Sequence, residues 1–491
     1  MGRITPPRGR GRSTGSSGGD KTGGLGRPGP GKSGPRKPGA GKSKGGRPSP
    51  GGRVGRPAAP QGLGARQEAA RLIAGVTDKG ATFDTLLANA PGSLPGRDRA
   101  LAHMIATTTL RRWGEIDAVL SECLQKGLSG RAAGVRPVLA TAAAQLLFMK
   151  VPDHAAVDLA VRMVGGDPEI RPFKALANGV LRRITREGIA LAGDIDPVTA
   201  NTPDWLLERW NKAFGPERAR SIAAIHMEPP SLDLSVKSDP AGWAERLGGH
   251  ALPTGTVRLA VGGRVNDLDG YDAGEWWVQD VASTLPVRLL GDVKDRRVAD
   301  LCAAPGGKTA QLAAAGARVH AIDSARTRVS RLRDNLSRLK LRAVAECADA
   351  RTWRPPYAMD AVLLDAPCAA TGTIRRHPDL PFLKKADHMT ALTTLQRELI
   401  DQAVAIARPG SPLIYCTCSL EPEEGPDQIA ALLARFPGIA ITPIDANEVP
   451  GFEAAIRPDG TLWVLPDTLA PRGDIPGGST GFYIARLQKV Q

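Results

Sequence analysis

Six cysteines stand in 491 residues, and two of them, Cys416 and Cys418, lie two positions apart in YCTCSLEPEE, Tyr415 to Glu424. A third, Cys368, follows the run LLDAP. Thiols so placed have four uses: a metal site, a disulfide, packing as small hydrophobes, or attack on an electrophilic carbon as thiolates. Zinc needs about four ligands at recognisable spacing, and no C-x-x-C pair occurs in the chain. A zinc deaminase signature also fails. HME, His226 to Glu228, mimics its H-x-E, but Thr371 stands where a second cysteine should follow Pro367-Cys368. No metal is expected. The start of the chain has no apolar core of a secretory signal. The longest apolar candidate, Pro137 to Met149, is shorter than the ~18 residues of a membrane helix. A cytoplasmic protein without membrane contact is expected, and its thiols stay reduced, which disfavours a disulfide. Residues two apart on a regular strand share a face, so Cys416 can lie beside Cys418 without a chemical role. Cys123, Cys302 and Cys347 are assigned mainly to packing.

A second cluster precedes these. In DLCAAPGGKT, Asp300 to Thr309, the pair Gly306-Gly307 lets the backbone turn sharply and approach a ligand. GGKT resembles the end of a phosphate loop, but that motif would need glycine where Cys302 stands. A turn shaped for a nucleoside fits better. Asp323 comes 17 residues after Gly306, a spacing at which an acid accepts from ribose hydroxyls. It could equally cap a helix. Asp349, in CADA, is placed to meet an adenine amino group. A literal phosphate-loop match, GRPGPGKS from Gly26 to Ser33, lies in Gly/Pro repeats with no strand or helix pattern, and is a chance match.

These residues need strand ends to converge. From Arg296, the runs RVADLCA, ARVHAID, RAVAECAD, DAVLLDAP and PLIYCTCS read as strands. KTAQLAAA, SARTRVSRLRDNLSRL and HMTALTTLQRELIDQAVAIA read as helices. Alternation of this kind predicts a parallel sheet with helices on both faces and a ligand at the carboxyl ends of its strands. Residues 291–491 form this unit. Residues 63–195 show helical periods, such as Ala69, Leu72, Ile73 and Val76, and predict a helical bundle. Residues 196–290 mix strand-like SLDLSV and TGTVRLAV with turns, and predict a small α+β module. Residues 1–62 read as a disordered tail. The first sixty hold 14 Lys and Arg against one acid, Asp20, while the rest of the chain holds 51 basic and 49 acidic residues. The tail therefore supplies most of the +15 net charge, and its spacing suits non-specific contact with phosphates.

Together, DLCAAPGGKT, DAPCAATGTIRRHPD and YCTCSLEPEE resemble the motifs of RNA cytosine-5 methyltransferases of the bacterial small-subunit ribosomal RNA type, the Sun/Fmu family. LPGRDRALA, HAAVDLAV and NGVLRRI resemble the NusB-like RNA-binding domain at the front of that family. The likeness covers about residues 63–488. It implies an α/β Rossmann-like methyltransferase domain with a mostly parallel sheet, behind an all-α NusB-like bundle and the small α+β module. It implies S-adenosylmethionine as cofactor and RNA, foremost 16S ribosomal RNA, as partner; a monomer is expected. The cofactor pocket would be Cys302, Ala303, Ala304, Pro305, Gly306, Gly307 and Lys308 with Asp323, Asp349 and Asp365. Cys418 would be the nucleophile that adds to cytosine C6, and Cys368 the second cysteine that assists elimination. Asp365 would hydrogen-bond the ring at N3. Arg375, Arg376 and His377 would contact RNA or brace the active-site loop, unless they pack on the acidic EPEE segment. Arg182 and Arg183 are RNA contacts or helix-end charges. The chain departs from the family pattern in GEWWVQDVAS and in STGFYIARL, where an acid is usual before Gly481. Two rivals stand beside this reading: the same chemistry on transfer RNA or another RNA, and a non-catalytic NusB-like RNA-binding or assembly factor. The retained Cys368, Cys418 and cofactor loop argue against the second.

Overall fold

The computed structural model describes residues 61–490 apart from 91, 93, 125 and 261–263. The basic tail, but for residues 61 and 62, and the GRPGPGKS stretch within it lie outside the described residues.

The described part of residues 63–226 is built from helices and their connections. The helix Leu63–Thr77 buries Ala69, Leu72, Ile73 and Val76, the stripe its periodicity predicts. The helix Arg136–Phe148 is buried from Pro137 to Gln145, and such a helix, apolar all round, belongs in the centre of a bundle. Its neighbours Trp113–Cys123, Asp153–Gly166 and Lys174–Gly193 share its core. Two further helices, Asp204–Phe214 and Pro216–His226, pack Leu206, Trp210 and Ile222 against Ile374 and Leu420. Those last two residues belong to loops that follow Cys368 and Cys418. No helix among the described residues is long and apolar enough to cross a membrane.

A four-stranded antiparallel sheet follows: β1 (Leu232–Val236), β2 (His250–Ala251), β3 (Val257–Leu259) and β4 (Trp276–Val278), in the order β2-β3-β1-β4. The large sheet comprises β5 (Arg297–Leu301), β6 (Arg318–Asp323), β7 (Val344–Cys347), β8 (Ala361–Asp365), β9 (Pro412–Thr417), β10 (Ile439–Ile441), β11 (Leu462–Val464) and β12 (Phe482–Lys489). Its order is β10-β12-β9-β8-β5-β6-β7, with β11 on β12. The pairs among β5, β6, β7, β8 and β9 are parallel, and β12 runs antiparallel between β9 and β10. The five strand runs predicted from Arg297 onward are the five parallel strands. The Rossmann-like α/β class is therefore borne out, with a mixed edge.

The strands are apolar on both sides because helices cover both faces. Leu363, Ile414 and Cys416 enter one core, and Val362, Leu364 and Tyr415 enter the other. The order of strands reverses at β5, where β6 and β8 flank it on opposite sides. In doubly wound sheets this switch point opens a crevice at the carboxyl ends of the strands.

Candidate active site

A cavity of about 510 Å³ occupies that crevice. Cys302, Ala304, Asp323, Asp349, Asp365, Cys368 and Cys418 line it, so five strand exits converge there. Ala303 is buried in the core beneath, and its N–H bonds Ile322 O on the neighbouring strand. Pro305 to Gly307 form the turn itself. Gly306 has φ 106°, and a Cβ there would meet Leu332 Cγ at 3.1 Å, so the turn requires glycine.

Asp323 ends β6 with its side chain 1% exposed. Its Oδ2 accepts from Ala304 N at 3.3 Å, and Oδ1 accepts from Ala325 N at 3.0 Å and pairs with Arg328 at 2.9 Å. The acid thus ties two strand ends together and also serves the turn after its own strand. Asp349 is gripped by Arg351 through both oxygens, and that hydrogen bonding holds its carboxyl below the usual range. Arg328 and Arg351 both line the cavity. Sequence reasoning missed them; an arginine five residues after Asp323 and another two after Asp349 was the available signal. The donor set fits an adenosine cofactor: a glycine turn without side chain beside carboxylates at successive strand ends. S-adenosylmethionine would be held by Asp323, Asp349 and the Cys302–Gly307 turn.

Lys308 opens the helix Gly307–Ala314 and is buried. Its ammonium bonds Asp365 Oδ2 at 2.8 Å and stands 4.8 Å above the Phe482 ring. The neighbouring carboxylate holds that ammonium firmly charged despite burial. The other oxygen of Asp365 lies 3.6 Å from the buried Cys416 Sγ, which also meets Leu364 O at 3.6 Å. Burial pushes the Cys416 thiol well up, and burial beside acids pushes the Cys302 thiol up to about 12. Both are poor thiolates.

Cys368 Sγ and Cys418 Sγ lie 3.5 Å apart, a thiol contact rather than a bond, and all six cysteines are free. The hydrogen bond to Cys418, then burial, raises the Cys368 thiol well above its ordinary value. The two loops are laced together. Gly372 N donates to Cys418 O at 3.1 Å and Leu420 N donates to Thr371 Oγ1 at 2.9 Å. Ala370 takes φ 60°, a left-handed conformation costly for a residue with a side chain and held here by its surroundings.

The basic residues after Cys368 divide. Arg375 is buried and spends its guanidinium on the carbonyls of Glu228, Pro229 and Gly477. Arg376 pairs with Asp280 at 2.7 Å. Both brace the loop from within, and neither meets EPEE. That acidic segment is held instead by Arg209, which pairs with Glu421 and Glu423. His377 is exposed. Arg182 and Arg183 lie outside the cavity on the helix Lys174–Gly193; Arg182 bonds Asn178, and Arg183 bonds Glu187 and Glu122 O. The loop is also gripped by the front helices, where Phe83 N donates to Asp379 and Trp113 meets Phe382 edge-on.

A family model for the 16S rRNA methyltransferase RsmB/F matches residues 287–488, and the NusB family model matches residues 63–186. The ribosomal RNA small subunit methyltransferase B of Cronobacter sakazakii is 33% identical over 410 residues, 80% of this chain and 95% of that protein. The protein of that name from Sodalis glossinidius is 33% identical over 443 residues, 86% of this chain and 96% of its own. The crystal structure of PH0851 shares the fold at a TM-score of 0.66 and 23% identity, covering 88% of this chain and 99% of that one. By its sequence, the chain belongs to the RsmB/F family of 16S ribosomal RNA methyltransferases.

Proposed function

We propose that the protein transfers a methyl group from S-adenosylmethionine to C5 of a cytosine in RNA, through a covalent bond between Cys418 and C6. The observation that carries this reading is the 3.5 Å approach of Cys368 and Cys418 at a cavity lined also by Asp365, the acid that Lys308 pairs with. Small-subunit ribosomal RNA is the substrate favoured by the names of the relatives and by the NusB-family match. On this reading residues 63–195 help grip RNA, 291–491 hold the chemistry, and 196–290 join them. His377, Arg182 and Arg183 keep side chains at the surface for RNA, whereas Arg375 and Arg376 act as braces.

Cytosine C5 is a weak nucleophile. Cys418, as thiolate, gives an electron pair to C6, and the C5=C6 pair moves onto C5 and the ring. The Lys308 ammonium offsets the charge that develops there. Asp365 is ion-paired, and an ionised carboxylate only accepts. It therefore suits the exocyclic amino group of the base. S-adenosylmethionine, when bound, supplies the electrophilic methyl group that C5 takes. Cys368 then acts. Its sulfur is in hydrogen-bond contact with Cys418 Sγ at 3.5 Å, and that contact is lost once Cys418 is bonded to carbon. Cys368 releases its thiol proton to water and takes the C5 hydrogen as a proton. The C5–H pair re-forms C5=C6, and the C6–S pair returns to Cys418. One proton leaves per turnover, and both sulfurs regain their starting states. The target base must leave any stack to reach them.

The test uses the protein, Cys418→Ala and Cys368→Ala with bulk RNA and methyl-labelled S-adenosylmethionine. Cys418→Ala is expected to transfer no label, and Cys368→Ala to accumulate a protein–RNA adduct. Full transfer by Cys418→Ala overturns the nucleophile. No transfer by the parent favours the non-catalytic RNA-binding factor. Mapping the labelled base decides the substrate.

A further inference from the structure

We propose that Glu424 is the positioning residue that fixes Cys368 against Cys418, an inference that rests on the role given to Cys368 above. Glu424 is fully buried at the end of the 3₁₀ turn Pro422–Glu424. Both of its carboxylate oxygens lie 3.0 Å from Ala369 N. Its Oε1 also accepts from Gln396 Nε2 at 2.9 Å, and the same nitrogen donates to Pro367 O at 2.9 Å. One carboxylate and one amide therefore hold the residues on either side of Cys368. The backbone of Glu424 faces the other cysteine: its carbonyl accepts from Tyr415 Oη at 2.7 Å and from Thr417 Oγ1 at 3.3 Å, both on β9, the strand that delivers Cys418.

A single residue thus bridges the two strand exits, with its side chain on one and its main chain on the other. Burying a carboxylate is costly unless donors meet it. Here the donors are the loop it positions, and that loop includes the left-handed Ala370. Releasing Ala369 N lets this strained turn relax and carries Cys368 away from the Cys418 sulfur. A misplacement of ~1 Å is enough to cost roughly a hundredfold in a step that depends on alignment. Addition of Cys418 to the base does not depend on Cys368, so the defect falls on release of the methylated base.

The experiment incubates full-length protein with bulk RNA and methyl-labelled S-adenosylmethionine, and resolves covalent protein–RNA adduct on denaturing gels. E424A is expected to lose turnover by roughly tenfold or more and to accumulate adduct as Cys368→Ala does. E424Q is expected to recover most of the turnover, because its amide oxygen still accepts from Ala369 N. Binding of S-adenosylmethionine by E424A reports that the fold is kept. If E424A does not bind it, E424D, whose carboxylate is one methylene short of Ala369 N, carries the same expectation. Parent-level turnover in the cofactor-binding variant, or a loss without adduct, overturns the proposal. A parent without activity, or a Cys368→Ala without adduct, strikes the reading of the site instead.

Discussion

Lys308 Nζ lies 2.8 Å from Asp365 Oδ2, so a lysine from the first turn of the helix after β5 is spent on the acid that ends β8. The ammonium is 10% exposed in its side chain and has the Phe482 ring beneath it, an arrangement that holds one charge at one point. Lys308→Met removes that charge and leaves Asp365 without its cation. Methyl transfer is expected to fall by roughly a hundredfold or more. Affinity for S-adenosylmethionine is expected to stay within about threefold, because the cavity acids that suit the cofactor keep their own arginine partners. Single-turnover kinetics and equilibrium dialysis separate the two effects. A cofactor affinity that collapses while the transfer step is unchanged would return Lys308 to the cofactor loop.

Asp300 gives the folded state a pH dependence. It is fully buried on β5, accepts from Thr309 Oγ1 at 2.5 Å, and leaves Oδ1 without a partner among the described residues. Burial pushes its carboxyl up to about 7, from 3.8. A carboxyl raised on folding favours the protonated native state. Its contribution is therefore complete below pH 3.8 and is lost as pH rises through about 7. Asp300→Asn keeps an acceptor for Thr309 and removes the titration. The melting temperature of the variant relative to the parent is expected to climb between pH 5 and pH 8, by the equivalent of about 2–4 kcal/mol at most. A parallel pair of melting curves across that range rules the assignment out.

The five parallel strands were legible because each is a short apolar run closed by a turn or a polar residue, and the sheet geometry then places those closing residues together. Asp323, Asp349, Asp365, Cys368 and Cys418 could therefore be assigned to one rim from spacing and family likeness. Their partners could not. Arg375 in IRRHPD reads as an RNA contact or a brace of the active-site loop, and its guanidinium is satisfied by carbonyls 102 to 147 residues away. No local pattern encodes such contacts. The acidic EPEE segment meets Arg209, more than 200 residues upstream, for the same reason. The strand β12 went unassigned although FYIARLQK suits a strand, since its place between β9 and β10 depends on antiparallel partners distant in the chain. Cys416 packs in the core as a strand neighbour of Cys418 should, but its thiol also meets Asp365, a relation that only the register of β8 with β9 reveals.

Gly306 tests the cofactor turn. Its φ of 106° is hostile to a side chain, and a Cβ would press on Leu332. Gly306→Ala is expected to weaken S-adenosylmethionine binding by at least about tenfold, since strain of ~1–3 kcal/mol falls on a turn that must approach the ligand closely. The same change is expected to lower global stability by only ~1–2 kcal/mol, because the turn can shift locally. Calorimetric titration alongside urea unfolding measures both. Unchanged affinity in the variant contradicts the assignment of this turn to the cofactor.

Arg258 and Asp233 form a two-point ion pair inside the protein, with Nε to Oδ1 at 2.7 Å and Nη2 to Oδ2 at 2.8 Å, and side chains 1% and 0% exposed. Asp233 also accepts from Val281 N, while Arg258 Nη1 donates to Pro476 O and Gly478 O. The pair therefore joins the small sheet to the segment before β12 and to the helix Val281–Arg288. Removing one partner strands the other charge in a buried site. Arg258→Met is expected to cost ~3–5 kcal/mol, and Asp233→Leu a similar amount. The double variant buries neither charge, so its loss should be well below the sum of the two. Urea unfolding of the four proteins completes the cycle. A coupling near zero would mean that the carbonyl contacts of Arg258, and not its pairing with Asp233, account for its burial.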